Sequence, residues 1–127
     1  MSIGEGIRGE KCWAGEYDFA LDGGAVSTIV LRSQDGPIPL GSVITRGYVD
    51  VQTACASATG TIALNSEAAG DIVVAAGQAS YTLGRKSIIP AATGATAIKT
   101  TAERKPAMAI ATAVFTAGKF TLVLFYR

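Results

Sequence analysis

Apolar side chains alternate with small or polar ones through the last twenty residues, in two runs separated by Thr116-Ala117-Gly118. Successive side chains of a strand point to opposite faces, so each run can line one surface of a sheet. A glycine that ends a three-residue loop favours a hairpin with a bulge. The sequence therefore predicts that the two runs pair directly, with Ile110 facing Leu124 across the hairpin. The aligned sets are Met108, Ile110, Thr112 and Val114 in the first run, and Tyr126, Leu124, Leu122 and Phe120 in the second.

Length and composition favour one β-rich domain. The chain has 127 residues, and 49% of them are apolar while only 17% are charged, against about a quarter in an ordinary soluble domain. Several short runs rich in Val, Ile and Thr are punctuated by Gly, Pro and Asp, which is typical of an antiparallel sandwich or barrel. The predicted fold class is all-β: a single-domain antiparallel β-sandwich or jelly-roll-like barrel over residues 11–127, with an extended N-terminal arm over residues 1–10.

Some segments carry more specific expectations. A strand should begin at Lys11 and continue through Leu21, and a loop should cover Ser33–Leu40, which contains two prolines. The apolar phase slips by one residue around Gly47, which predicts a bulge and a bend there. Residues 72–76 could form a short strand, but a short helix or irregular connection capped by Asp71 is the favoured interpretation.

The N-terminal arm contains Gly4, Gly6 and Gly9 among isolated apolar residues, so no local pattern fixes its shape. Such an arm either frays or becomes ordered by lying across another subunit. In the second case Ile3, Ile7 and Arg8 are candidate partner contacts.

The residue types exclude several classes of function. The chain has no histidine, and its two cysteines form no second pair with zinc-site spacing. We therefore predict no catalytic, cofactor-binding or metal-binding residues, no cofactor and no enzymatic activity. Cys12 and Cys55 are expected to be free, packed thiols, as in a reducing compartment. The carboxylates fit solvated strand faces and turns, because none sits in a recognisable catalytic context.

Charge and hydropathy restrict the partners. A net charge of +1 argues against a dedicated nucleic-acid binder. No run approaches the roughly 18 consecutive apolar residues of a membrane helix, and the start of the chain lacks the apolar stretch of a secretory signal. We therefore expect no nucleic-acid or membrane partner, and synthesis in the cytoplasm.

Two small basic clusters and one aromatic cluster are the remaining candidates for recognition. Arg85 and Lys86, and likewise Arg104 and Lys105, are either solvated turn residues or a rim that contacts an acidic partner surface. The aromatic cluster either stacks on a ligand or fills the interior of the sandwich. Its members are Trp13, Tyr17 and Phe19.

Several segments after about residue 25 resemble small accessory virion proteins of tailed bacteriophages, the capsid decoration or cement proteins. The resemblance implies a β-rich chain without catalytic residues that binds the outer shell of the major capsid protein as a symmetric homo-oligomer, with a trimer favoured and a dimer possible. The expected location is the capsid surface of the virion, assembled in the host cytoplasm. The matching segments are Leu40-Gly41-Ser42-Val43-Ile44, Gly47-Tyr48-Val49-Asp50-Val51-Gln52-Thr53-Ala54, Thr61-Ile62-Ala63-Leu64, Ala69-Gly70-Asp71-Ile72 and Phe120-Thr121-Leu122-Val123-Leu124-Phe125-Tyr126.

Two other functions remain open at this point. One is a different part of the virion, such as a tail, neck or head-fibre protein that binds a receptor or a glycan. The other is a carbohydrate-binding sandwich with Trp13 or Tyr48 in a concave patch.

Overall fold

The computed structural model describes residues 10–88 and 98–127. Short β-prone runs in this part of the chain form eight strands, with one turn of α-helix and one turn of 3-10 helix. The strands are β1 (Lys11–Asp18), β2 (Thr28–Val30), β3 (Ile44–Ala56), β4 (Thr61–Asn65), β5 (Val73–Gly77), β6 (Gly84–Ile88), β7 (Ala107–Ala111) and β8 (Ala117–Tyr126). The helical turns are α1 (Phe19–Asp22) and a 3-10 helix at Gln78–Ser80.

The strands form two four-stranded sheets, ordered β1-β8-β3-β6 in the first sheet and β2-β7-β4-β5 in the second. Every pairing is antiparallel. The first strand pairs with the last, the second with the seventh, the third with the sixth and the fourth with the fifth, which is the jelly-roll arrangement. The predicted all-β sandwich is confirmed, and its strand order is that of a jelly roll.

The predicted hairpin between the last two strands is wrong. β7 belongs to the second sheet and β8 to the first, so they face each other across the core instead of pairing. The connection that changes sheets is held in place by two backbone hydrogen bonds: Phe115 donates its N–H to the carbonyl of Gly24 (2.8 Å), and Thr116 donates to that of Ala56 (2.9 Å). Thr112 begins this change with a left-handed φ of 74°. Within β7 and β8, alternation fixed which side chains point inward, but it did not fix whether the two apolar faces meet side by side or face to face.

The core lies between the two sheets and is centred on Phe120 of β8. Its ring lies 5.4 Å from that of Tyr17 and 5.8 Å from that of Tyr81, between centroids. Trp13 and Tyr17 are buried, so these two aromatics fill the sandwich, whereas Phe19 is half-buried. Val114, which the hairpin register placed inside, is 55% exposed. The other fully buried side chains include Leu122 and Leu124 beside Phe120 on β8, and Ile62, Leu64 and Met108 of the second sheet.

Two local predictions are also wrong. The first strand ends at Asp18, and the next residues form α1 because the Asp18 carboxylate accepts a hydrogen bond from the N–H of Ala20 (3.0 Å). Residues Val73–Gly77 form strand β5 and not a helix. Asp71 caps the preceding turn instead, since its carboxylate accepts the N–H groups of Ser66 and Glu67 (both 2.8 Å).

The predicted irregularity in the long central strand lies two residues before Gly47. Ile44 is opposite Tyr126 and Arg46 is opposite Phe125, so Thr45 is the extra residue of a bulge. Gly47 has a separate requirement: a Cβ there would lie 2.5 Å from the carbonyl oxygen of Val123.

Candidate interaction surfaces

Four side chains form a continuous row on the outer face of the first sheet, which we call the cation–aromatic row: Arg46, Phe125, Tyr48 and Arg85. The guanidinium carbon of Arg46 lies 4.1 Å from the centre of the Phe125 ring. The rings of Phe125 and Tyr48 are 6.4 Å apart, and the guanidinium carbon of Arg85 lies 4.3 Å from the centre of the Tyr48 ring. Guanidinium groups stacked on aromatic faces keep their N–H groups available at the edge, where a carboxylate can accept them.

One end of the row is tied to the start of the described chain. Arg46 donates to a carboxylate oxygen of Glu10 (2.9 Å), and the hydroxyl of Thr45 donates to the other oxygen (2.8 Å). These hydrogen bonds, first from Arg46 and then from Thr45, lower the pKa of Glu10 below its usual range. Glu10, the last residue of the predicted arm, is therefore held against the first sheet.

The outer face of the second sheet is different in kind. Ile62 and Leu64 of β4, and Met108 and Ile110 of β7, point into the core. The alternate positions of β2, β4 and β7 point outward, and none of them is charged. They are Thr28, Val30, Thr61, Ala63, Asn65, Ala107, Ala109 and Ala111.

The shortest ion pair among the described residues lies beyond the end of this sheet, between the turn after β4 and the segment before β7. Arg104 donates from Nε to one carboxylate oxygen of Glu67 (2.7 Å) and from a terminal nitrogen to the other (3.1 Å). The hydroxyl of Thr101 also donates to Glu67 (2.6 Å). These hydrogen bonds, with that of Arg104 the strongest, lower the pKa of Glu67 to about 2. Arg104 thus joins the segment before β7 to the turn after β4.

The predicted basic contacts occupy two separate elements. Arg85 is exposed on β6, opposite Asp50, while Lys86 is half-buried opposite Val49. Arg104 engages Glu67, which leaves Lys105 as the exposed charge of its pair.

The remaining predicted contacts, Ile3, Ile7 and Arg8, lie outside the described residues. Sequence reasoning missed Arg46 and Phe125 as members of a surface cluster. No local motif connects them, and only the register of β3 against β8 brings them together.

A shallow cleft of about 430 Å³ lies beside β1 and is lined in part by Glu16, Arg32 and Asp35. Arg32 donates to Glu16 (3.0 Å) and to Asp22 (3.1 Å), and Asp35 accepts the N–H of Ala14 (2.8 Å). These charged groups hold the loop after β2 against β1. Across residues 10–88 and 98–127, no three His, Cys, Asp or Glu side chains are grouped as a metal site requires.

Both cysteines are free thiols. Cys55 is buried, and burial raises its pKa to about 11, whereas Cys12 is exposed on β1. The expectation of packed thiols therefore holds for Cys55 and is wrong for Cys12. None of the helices in the described ranges has the length and apolar character needed to cross a bilayer.

Known proteins resemble this chain in three-dimensional structure, and the sequence comparisons find no match. No protein-family model matches the chain, and neither does any curated protein sequence. A chain in the cyanophage Pam1 capsid asymmetric unit matches with a TM-score of 0.63 and 17% identity, over 92% of this chain and 83% of that one. A chain in the acid-stable capsid of Helicobacter pylori bacteriophage KHP30 matches with a TM-score of 0.59 and 13% identity, over 92% and 86%.

A chain in the capsid of Ralstonia phage GP4 matches with a TM-score of 0.56 and 15% identity, over 91% of this chain and 83% of that one. At such low identities the likeness establishes the fold. The chain shares its jelly-roll sandwich with chains found in three phage capsid structures, as the resemblance in its sequence led us to expect.

Proposed function

We propose that this chain is a structural protein of a phage virion, and that it acts as a decoration protein. It binds the outer surface of the shell formed by the major capsid protein, and it stabilises that shell. In this role it works through surfaces and needs neither a cofactor nor a reactive group.

The observation that carries the proposal is the extent of the structural likeness. Each of the three phage capsid chains is matched over more than four-fifths of its length, with 83% to 86% covered. The likeness therefore extends over a whole domain of those particles and not over a few shared strands. Because one fold can serve many functions, the capsid role rests on this shared context and needs a direct test.

The two outer faces supply the contacts that such a role needs. The cation–aromatic row offers guanidinium groups to acidic side chains of the shell, and the uncharged face of the second sheet loses little hydration energy when it is covered. Arg85 and Lys86 on β6, and Lys105 before β7, are the basic contacts we expect to meet acidic groups at the rim.

Shells of the major capsid protein that lack this chain provide the direct test. Purified chain is added to them, copies per particle are counted, and the melting of decorated and bare shells is compared by calorimetry. A protein that binds the folded shell raises its melting temperature by mass action, so we expect saturation at hundreds of copies and a higher transition. Absence of binding, or equal melting of both shells, would refute the role. A handful of copies at one vertex would indicate a tail or neck protein instead.

Charge reversal tests the contact surface. Arg85→Glu reverses a cation of the cation–aromatic row, and Lys11→Glu, an exposed cation on the opposite edge strand of the same sheet, is the matched control. We expect the first variant to lower shell occupancy at least tenfold at fixed concentration and the second to leave it unchanged. Equal occupancy for both variants would remove the row from the interface.

Deletion of residues 1–9 tests the arm separately, because Glu10 and its partners remain in place. If the arm crosses neighbouring capsomers, the shortened chain binds more weakly while residues 10–127 fold as before. Undiminished occupancy would show that the arm has no part in binding.

A further inference from the structure

Each sheet ends in two edge strands, and three of the four edges are protected. The backbone of Arg32 pairs with that of Glu16, which covers the middle of the β1 edge. The β6 edge carries Arg85 and Lys86, and charged side chains discourage pairing with another strand. The β5 edge is irregular, because the register of β4 against β5 shifts between Ile62 and Leu64.

Among the described residues, nothing protects the β2 edge in any of these ways. Ser27 exchanges both backbone hydrogen bonds with Ile110 of β7 (3.2 and 2.8 Å), and Leu31 donates its N–H to the carbonyl of Pro106 (3.1 Å). In an antiparallel ladder the alternate residues direct their N–H and C=O groups to the other side. Val26, Thr28 and Val30 therefore present their backbone groups outward. Within residues 10–88 and 98–127 these groups have no hydrogen-bond partner.

The side chains around this edge also suit pairing. Residues 25–31 read Ala-Val-Ser-Thr-Ile-Val-Leu, with no charge and no proline. Val26 and Val30 are 54% and 53% exposed, so two β-branched side chains are exposed to solvent beside the outward backbone groups. An uncharged β-prone edge of this kind is a template for a further strand.

We propose that β2 pairs with β2 of a second copy of this chain, antiparallel and centred on Thr28. The two-fold axis then sets Val26 of one copy opposite Val30 of the other, and the outward backbone groups of both copies satisfy each other. Two copies of β2 can pair because neither carries a charge that would repel the other, and Arg32 lies beyond the paired residues.

The contact joins the second sheets of two copies into one continuous sheet of eight strands. Its outer face extends the uncharged surface of Ala, Thr and Val across both copies. This geometry selects the two-fold arrangement over the three-fold one that the family resemblance favoured. It is independent of the capsid role, since it concerns the purified chain alone.

Sedimentation of the purified chain tests the pairing, with Val30→Lys as the disrupting variant. Two lysines placed across the two-fold contact repel each other, so we expect wild-type dimers and a shift of the variant to half the mass, with an unchanged far-ultraviolet circular dichroism spectrum. Val74→Lys is the matched control, because Val74 is 71% exposed on β5 at the opposite edge of the same sheet. It should remain dimeric.

A cysteine at the centre of the contact gives a second readout. In a hydrogen-bonded antiparallel pair the two Cβ atoms lie about 5.5 Å apart, which is too far for a relaxed disulfide but within reach of a short bismaleimide crosslinker. Thr28→Cys in a Cys12→Ser background should therefore form a covalent dimer when treated with the bismaleimide, while Cys12→Ser alone should not. A monomeric wild type, an oligomer that keeps its mass with Val30→Lys, or a failure of Thr28→Cys to crosslink would each overturn the proposal. Shell binding could succeed or fail in any of these cases.

Discussion

The outer faces of the two sheets differ in the charge and the aromatic content of their side chains. The first sheet carries the cation–aromatic row, and its charged end is fixed by the pair of Arg46 and Glu10. The second sheet carries only small uncharged side chains on its outward positions, and its main ion pair, Glu67 with Arg104, lies past the ends of its strands. The outward side chains of the first sheet contact one another, whereas those of the second sheet make no ion pair or aromatic contact within the described part of the chain.

The inner faces of the same strands show no such contrast, because both sheets contribute large apolar side chains to one core. A jelly roll requires only that the two inner faces fill the space between them. The outer faces are under no such requirement and can differ completely. The proposed contacts with other proteins therefore use the features that the core does not require: the cation–aromatic row, the uncharged outer face of the second sheet and the edge of β2.

The largest expected effect tests whether the core, and not the row, stabilises the first sheet. Phe120→Ala removes the ring that contacts Tyr17 and Tyr81, and we expect it to lower the free energy of unfolding by about 3–5 kcal/mol. Urea denaturation followed by tryptophan fluorescence measures this, since Trp13 lies in the same core. Leu21→Ala, at a side chain 69% exposed, is the control and should change stability by less than about 0.5 kcal/mol.

An intermediate effect measures what the row contributes. Phe125→Ala removes the ring between Arg46 and Tyr48, and we expect a loss of about 1–2 kcal/mol, from one aromatic pair and one cation–π contact. Phe125→Leu keeps most of the apolar area without the aromatic face, so it should lose less. Equal losses for the two variants would mean that the row packs as ordinary hydrophobic surface.

Acid unfolding measures how much the ion pair of Glu67 and Arg104 contributes to the stability of the fold. The pKa of Glu67 is about 2 in the folded chain, against a usual value of 4.5. A depressed folded pKa adds stability above pH 4.5, and this stability is lost as the pH falls towards 2. Glu67→Gln should therefore be less stable than wild type at neutral pH, and the difference should shrink over that range.

Thermal melting at a series of pH values provides the measurement. Glu103→Gln, which changes an exposed carboxylate in the same loop as Arg104, is the control and should keep the acid dependence of the wild type. A constant gap between Glu67→Gln and wild type from pH 7 to pH 2 would contradict the assigned role of the pair.

The smallest expected effect tests whether the uncharged outer face of the second sheet tolerates a charged side chain. Ala109→Lys places a charge at the middle of its outer surface, where a lysine can extend into water, so we expect a change of less than about 0.5 kcal/mol in urea denaturation. Val123→Lys makes a similar change on the central strand of the first sheet, where the side chain is only 6% exposed, and should cost more than about 1 kcal/mol. Equal costs would remove the contrast between the faces.

Local patterns predicted a large part of the fold. The β class, the strand from Lys11 and the inward positions Ile110 and Leu124 follow from alternation and turn residues, and the structure has them. The short helix after Asp18 and the strand at Val73–Gly77 escaped prediction. In both places a segment of four or five residues is decided by a carboxylate that caps a neighbouring turn.

The candidate surfaces were less predictable than the fold. Arg85 was identified as a contact because it stands in a basic pair, but its position over Tyr48 could not be read from the chain. Arg104 looked like its equivalent and is engaged by Glu67 instead. A charge in a linear sequence does not reveal its partner, because partners are set by strand register and by loops that meet from distant parts of the chain.

By itself the sequence determined which side chains of β7 and β8 face inward, since an alternation of period two is a local property of each strand; beyond the end of β7 the pattern failed, and Val114 is exposed. Only the tertiary structure decided which strands are neighbours: it set β8 between β1 and β3 and moved β7 to the opposite sheet. The same apolar faces could have met within one sheet or across two. In the structure they meet across two sheets, and backbone hydrogen bonds between distant segments, such as those from the 112–116 connection to Gly24 and Ala56, accompany this arrangement. The cation–aromatic row, the uncharged outer face of the second sheet and the unpaired edge of β2 all depend on it.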